Sequence, residues 1–111
     1  MKNKKLQKEL ILILGERFST SESVRINYSH GEDVFDPVLS QAVVFPNTNE
    51  ELSKIVKICN KYRIPIIPFG TGTSLEGHVL GNNNGITVSL ENMNKIISIH
   101  SEDFDCRVQA Y

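Results

Sequence analysis

The chain of 111 residues has no tryptophan, only two cysteines and a net charge of −1. With 12 basic against 13 acidic side chains, electrostatics give no reason to expect nucleic acid or an anionic membrane as a partner. Cys59 and Cys106 lie far apart and match no zinc-ligand spacing. We expect both to be reduced core residues of a cytoplasmic protein.

Long apolar runs are also missing. Residues 10–14 are apolar and follow several lysines, as in a signal peptide, but Glu9 and Glu16 bracket them and no small-residue cleavage site follows. The run is too short to span a bilayer, and so is every other apolar run. We therefore expect neither a signal peptide nor a transmembrane segment.

Histidines are few and scattered. His30, His78 and His100 lie far apart in sequence and have no carboxylates clustered around them, so we expect no metal site. His30 and His100 are expected at the surface. His78 follows a glycine-rich segment, where it could either contact a ligand or form a hydrogen bond within that segment.

Hydrophobic periodicity predicts an α+β fold that begins with a helix. Apolar residues recur at near-helical spacing over residues 4–18, and Gly15 weakens the pattern near its end. Residues 19–29 are polar and turn-rich, and a loop follows at residues 30–33. We therefore divide the chain into an N-terminal helix and loop arm, residues 1–36, and a second part, residues 37–111.

The second part begins with a βαβ pattern. Short buried strands are predicted over residues 42–45 and 64–69. Between them, residues 48–51 fit a Ser/Thr-x-x-Glu capping box that opens a helix running to about Tyr62. A strand, a crossover helix and a strand form a parallel, right-handed unit. The predicted apolar face of the helix comprises Leu52, Ile55, Val56, Cys59 and Tyr62.

Three further strands are predicted towards the C-terminus, over residues 86–90, 96–99 and 106–111. Apolar and polar residues alternate in the first and third of them, as in half-buried strands. Because only short turns join the three strands, we expect them to pair antiparallel.

The loop of residues 70–78 is the most informative segment of the chain. Its glycines lack a Cβ, so the backbone there can adopt positive φ and its N–H groups can approach an anion closely. Successive N–H groups of this kind form a nest for phosphate, and hydroxyl side chains add donors. Because the loop has no lysine, we expect a diphosphate inside a larger ligand. The glycines are Gly70, Gly72 and Gly77, and the hydroxyl residues are Thr71, Thr73 and Ser74.

Two common phosphate loops fit this segment poorly. The Walker loop requires Gly-Lys-Ser/Thr, whereas His78 follows Gly77 here. The dinucleotide fingerprint G-x-G-x-x-G matches at Gly70 and Gly72 but has Leu75 at its third glycine. It also requires a helix directly after the loop, and the next predicted element is a strand. The dinucleotide reading is therefore the weaker alternative.

Residues 65–78 resemble the flavin-diphosphate loop of the FAD-linked oxidase family, of the vanillyl-alcohol oxidase type. The similarity is greatest to its D-lactate dehydrogenase and glycolate oxidase branch. It extends upstream through residues 37–46 and 49–56 and downstream through residues 85–97. Residues 30–33 resemble the family's approach to the first strand.

The resemblance implies that FAD lies between two α+β subdomains, with its diphosphate on the amides of this loop. Some relatives tether the flavin through a histidine at the position of Thr73, whose hydroxyl cannot form that linkage, so non-covalent FAD is implied. The residues implied to hold the diphosphate are Gly70, Thr71, Gly72, Thr73 and Ser74. Those implied to shape the walls are Pro68, Phe69, Leu75, Gly77 and His78.

The implied reaction is hydride transfer from a 2-hydroxy acid, such as D-lactate or glycolate, to the flavin. In the family, the second half of the domain and a substrate cap with the catalytic residues follow this region, so we expect no catalytic residue within residues 1–111. The chain would be the N-terminal half of a two-subdomain FAD-binding domain. Two alternatives stay open, a non-catalytic remnant that self-associates without FAD and one subunit of a two-chain flavoenzyme.

Overall fold

Two sheets organise the chain, and the computed structural model describes all residues from 1 to 111. The helices are α1 (Lys4–Leu14), α2 (Glu22–Asn27) and α3 (Asn49–Lys61), with a 3-10 turn at Gly15–Arg17. The strands are β1 (Phe18–Ser19), β2 (Ala42–Val44), β3 (Ile66–Phe69), β4 (Ile86–Ser89), β5 (Ile96–His100) and β6 (Asp105–Val108). The predicted α+β class is confirmed.

The larger sheet has the strand order β1-β2-β4-β3, and β5 pairs with β6 in a separate hairpin. Strand β4 lies between β2 and β3 and is parallel to both, with Ile86 opposite Ala42 on one side and Ile66 on the other. The predicted parallel βαβ unit is therefore confirmed, although its two strands are not neighbours.

The antiparallel prediction for the last three strands is right for β5 and β6 and wrong for β4. The alternating sequence of β4 predicted one exposed face, but all four of its residues are buried. Thr87 can be buried because its hydroxyl lies 2.8 Å from the buried Ser40 hydroxyl, which satisfies its polar atom. A fully buried strand between two parallel neighbours is the usual arrangement for parallel sheets.

The N-terminal arm contains more regular structure than its sequence predicted. Helix α1 ends at Leu14, because Gly15 takes a φ of 58° and turns the chain. Phe18 then lies opposite Val44 in an antiparallel pair with β2. The residues expected to be turn-rich include the short helix α2 and the fully buried Ser29. Helices this short leave too few apolar positions for a periodic signal.

One core lies between the helices and the larger sheet. It joins apolar residues of α1, α3, β2 and β4, so α1 and α3 pack on the same face of that sheet. Cys59 is part of this core as predicted, whereas Val56 is 46% exposed although it was assigned to the same face of α3. The prediction for Cys106 is wrong, since it lies in β6, where every residue is exposed.

Helix α3 begins with half of the predicted capping box. The Thr48 hydroxyl accepts a hydrogen bond from the Glu51 N–H at 3.1 Å, as expected. The Glu51 carboxylate, however, accepts from the Asn47 N–H at 3.2 Å and from the Arg17 guanidinium. Arg17 also donates to the Phe45 carbonyl at 3.1 Å. This ion pair therefore ties the start of α3 to the N-terminal arm.

The ion pair predicts a pH dependence of stability. The hydrogen bond from Arg17 holds the pKa of Glu51 below its ordinary value of 4.5. Its stabilisation is therefore fully present above about pH 4.5 and is lost as the pH falls through the folded-state pKa. We expect Glu51→Gln to lower the free energy of unfolding at neutral pH by roughly 0.5–1 kcal/mol. The same substitution should also make the free energy of unfolding fall less steeply as the pH is lowered below about 4.5. Urea denaturation at a series of pH values measures this.

Glu50→Gln is the matched control, because Glu50 is exposed in the same helical turn. It should keep the wild-type pH profile. If the free energy of unfolding of Glu51→Gln falls with decreasing pH as steeply as that of the wild type, the ion pair contributes nothing to the pH dependence of stability.

Candidate functional site

The loop of residues 70–78 starts where β3 ends, at the carboxyl edge of the parallel strands. Positive φ is confirmed for Gly72 (76°) and Gly77 (78°), but Gly70 does not adopt it. The glycines also differ in their surroundings. A Cβ on Gly70 would have no atom within 4 Å, whereas a Cβ on Gly72 would lie 2.7 Å from the Phe69 ring. On Gly77 it would lie 3.1 Å from the Phe35 ring.

Gly70 is therefore the glycine that leaves open space beside the backbone. Gly72 and Gly77 are needed for another reason, since their missing Cβ atoms let aromatic rings pack closely against the loop.

The backbone N–H groups of the loop are unpaired. From Gly70 to Val79 none of them donates a hydrogen bond within the chain. The pairing resumes immediately afterwards, with Leu80 donating to the Gly77 carbonyl at 3.2 Å and Asn82 to the Ser40 hydroxyl at 3.1 Å. Backbone donors are nearly always paired within a protein or by what it binds. A run of free N–H groups beside open space thus fits the diphosphate part of a ligand.

The hydroxyl and imidazole side chains of the loop pair with one another. The Thr71 and Thr73 hydroxyls lie 3.2 Å apart, and the Ser74 hydroxyl lies 2.9 Å from Nδ1 of His78. Of the two roles considered for His78, the hydrogen bond within the loop is the one that the structure shows. His30 is exposed, as predicted. The loop therefore offers an anion mainly its backbone N–H groups.

A depression of about 340 Å³ lies beside the first part of the loop. It brings Phe69, Gly70, Thr71 and Gly72 together with residues that sequence reasoning did not assign to the site, among them Tyr28, Glu32 and Glu91. The other predicted site residues lie outside it, namely Pro68, Thr73, Ser74, Leu75, Gly77 and His78. Leu75 is 68% exposed. The motif at residues 30–33 was a signal for Glu32, and the similarity over residues 85–97 included Glu91, but nothing in the sequence marked Tyr28.

Tyr28 forms a fixed wall of the depression. Its ring meets Phe69 edge-on at a centroid distance of 5.1 Å and Phe45 at 5.4 Å. Its hydroxyl donates to the Glu91 carboxylate at 2.9 Å. Burial, together with this carboxylate, raises the pKa of Tyr28 to about 12. The hydroxyl therefore stays protonated and remains a donor to Glu91 at neutral pH.

The charges around the depression are acidic. Glu32 and Glu91 line it, and no lysine or arginine does. Attraction of this chain for an anion there must come from neutral donors, chief among them the free N–H groups of the loop. No group of three or more His, Cys, Asp or Glu side chains in the structure could hold a metal ion. None of the helices combines the length and apolar character that crossing a membrane requires.

Comparisons with known proteins agree with this geometry. The FAD binding domain family matches residues 40–110. A probable mitochondrial D-lactate dehydrogenase of Danio rerio is 44% identical over 94 residues, which cover 85% of this chain and 19% of that protein. The glycolate oxidase subunit GlcD of Bacillus subtilis is 33% identical over 98% of this chain and 23% of its own length.

The fold is also found in solved structures. An alkyldihydroxyacetonephosphate synthase superposes with a TM-score of 0.87 over 98% of this chain and 24% of that chain, at 20% identity. The chain thus spans about a fifth of the length of the curated relatives named above. It belongs to the FAD binding domain family of FAD-linked oxidoreductases related to D-lactate dehydrogenase and glycolate oxidase, and its cofactor is FAD.

Proposed function

We propose that the loop of residues 70–78 holds the diphosphate of FAD on its backbone N–H groups. We further propose that the chain is the FAD-binding portion of an enzyme that oxidises a 2-hydroxy acid such as D-lactate or glycolate. The run of unpaired N–H groups from Gly70 to Val79 is the observation that carries the proposal. The substrate class comes from the names of the relatives, D-lactate dehydrogenase and glycolate oxidase. Bound FAD would accept the hydride.

Different residues of the loop would have different roles in binding the diphosphate. The open space at Gly70 admits the anion, and Gly72 and Gly77 keep the backbone in the conformation that exposes its N–H groups. In the Thr71–Thr73 pair one hydroxyl donates to the other, which leaves one O–H free for the ligand. Pro68, Phe69, Leu75, Gly77 and His78 would shape the walls around these donors, and Ser74 would hold His78 in place.

The flavin would be bound without a covalent link, because Thr73 offers no ring nitrogen to the isoalloxazine. No catalytic residue is proposed within this chain. The cytoplasmic location expected from the cysteines stays a prediction, and the Danio rerio relative is named as a mitochondrial protein.

The β5–β6 hairpin indicates what else the complete enzyme needs. Large apolar side chains stand exposed on it, including Ile99 at 71% and Phe104 at 97%. Apolar patches of this kind mark surfaces that another polypeptide covers. We infer that the remainder of a longer flavoenzyme covers it, either in the same chain or as a separate subunit. Self-association through the hairpin is the alternative.

FAD should stabilise the chain by mass action, and Gly70→Val should reduce that effect. At a free FAD concentration a hundredfold above the dissociation constant, we expect about 2.7 kcal/mol of stabilisation, measured as a rise in melting temperature. The Cβ of a residue at position 70 would meet no protein atom within 4 Å, so we expect the substitution to change the melting temperature without FAD only slightly. The valine side chain would occupy the space proposed for the anion, and FAD affinity should fall at least about tenfold.

Thr20→Val is the control, since Thr20 is exposed and distant from the loop in sequence. It should bind FAD like the wild type.

Acid precipitation should leave the flavin in the supernatant, whereas flavin that stays with the protein would contradict non-covalent binding. A wild-type melting temperature that does not respond to FAD would favour the non-catalytic remnant.

Gly72→Ala should destabilise the fold itself, unlike a substitution at Gly70. An alanine with a φ of 76° is strained, and its Cβ would lie 2.7 Å from the Phe69 ring. We expect a loss of about 1–2 kcal/mol in the free energy of unfolding without FAD. Gly70→Ala is the matched control and should lose nothing. Equal unfolding curves for the two variants would show that Gly72 does not pack on Phe69 in this way.

The substrate class can be tested on the protein purified from its natural host together with any polypeptide that co-purifies. Anaerobic addition of D-lactate or glycolate should remove the visible absorbance of oxidised flavin, and L-lactate should remove less of it. If flavin is bound but no 2-hydroxy acid reduces it, the substrate class is wrong while FAD binding stands. The mass of the purified particle distinguishes a second subunit from self-association.

A further inference from the structure

Residues 29–35, here called the brace, pack against backbone carbonyl groups of the loop of residues 70–78. The Glu32 N–H donates to the Ser74 carbonyl at 3.0 Å. The backbone of Gly31 lies so close that a Cβ there would be 2.7 Å from the Ser74 oxygen and 3.2 Å from the Gly72 oxygen. The brace therefore occupies one side of the loop, the side on which these two carbonyl oxygens lie.

This packing sets the direction of N–H groups that bind nothing within the chain. In a planar trans peptide the C=O and the N–H of the next residue point in opposite directions. Because the Ser74 carbonyl points to the brace, the Leu75 N–H points away from it. The Gly72 carbonyl lies beside Gly31, so the Thr73 N–H also points away. Both N–H groups belong to the unpaired run.

Within the brace, the Asp33 carboxylate accepts hydrogen bonds from two backbone N–H groups. One oxygen of Asp33 accepts a hydrogen bond from the Gly31 N–H at 3.1 Å, and the other accepts from the Phe35 N–H at 3.1 Å. Aspartate side chains form such local turns readily. Phe35 is the residue whose ring would lie 3.1 Å from a Cβ on Gly77. Asp33 therefore links the two parts of the brace that touch the loop.

The brace is also anchored at its start. The Ser29 hydroxyl donates to the Ile26 carbonyl at 2.6 Å, and Ser29 is fully buried. Its carbonyl accepts from the Gly81 N–H at 3.3 Å, just beyond the unpaired run. The chain is thus held against the brace near the middle of the loop, at Ser74, and just beyond the end of the loop, at Gly81.

We propose that Asp33 is a positioning residue of the FAD site, which acts by holding the brace so that the loop turns its N–H groups towards the ligand. Asp33 does not line the depression itself. The inference rests on the proposed function for the identity of the ligand, but the orientation of the loop can be measured without FAD.

The test compares Asp33→Ala and Asp33→Asn with Asp36→Ala in the full chain. Asp36 is exposed and lies three residues along the same segment, which makes it the matched control. Backbone amide chemical shifts are recorded without FAD, and the dissociation constant of FAD is then measured by equilibrium dialysis. Asp33→Ala should shift the Thr73 and Leu75 amide resonances and raise the dissociation constant by roughly tenfold. Asp36→Ala should change neither quantity.

Asp33→Asn provides the graded case. Its side chain has one carbonyl oxygen and can replace only one of the two bonds well, so its dissociation constant should fall between those of wild type and Asp33→Ala. If Asp33→Ala does not fold, as judged by circular dichroism, Asp33→Asn decides the question. Unchanged loop amide shifts and unchanged FAD affinity in a folded Asp33 variant would overturn the proposal. A wild-type chain that binds no FAD would refute the proposed function instead, and the amide shifts would still test the brace.

Discussion

The position of β4 between β2 and β3 is the constraint on which the site depends. Because β3 and β4 are parallel neighbours, the chain must return from the carboxyl end of one to the amino end of the other. Such a crossover is usually a helix, whose own carbonyl groups pair with its N–H groups. Here the connection is rich in glycine and asparagine and forms no helix. Its N–H groups from Gly70 to Val79 consequently remain available.

A crossover without a helix must be held by contacts outside itself. The buried pair Ser40–Thr87 supports its far end, because the Ser40 hydroxyl also accepts a hydrogen bond from the Asn82 N–H. The Phe69 ring packs against Gly72, and Tyr28 meets the Phe69 ring edge-on. None of these contacts uses an N–H group between Gly70 and Val79.

This arrangement suits a ligand that has to be positioned and not chemically changed at its diphosphate. Neutral donors hold an anion without placing a cation beside it, and the only charged side chains that line the depression are carboxylates. The chain accounts for about a fifth of the length of the curated relatives named above. The exposed apolar side chains of the β5–β6 hairpin are consistent with a larger assembly around this domain.

The sequence by itself determined the α+β class, the parallel βαβ unit, the start of α3 at Thr48 and the loop that marks the family. These features depend on local signals, such as periodicity, capping residues and glycine spacing, which act within a few residues along the chain. Only the tertiary structure decided that β4 joins the sheet in parallel. The alternating pattern of β4 predicts an outward-facing Thr87, whereas in the structure it is buried beside Ser40, 47 residues away in sequence.

The same reason explains the rest of the site. Tyr28 carries no local pattern of its own, and Tyr28, Gly31 and Glu91 line one depression only because the N-terminal arm and the end of β4 pack beside the loop. Contacts between residues distant in sequence produce no periodic pattern. The loop could therefore be predicted from the sequence, but the contacts that hold it in place could not.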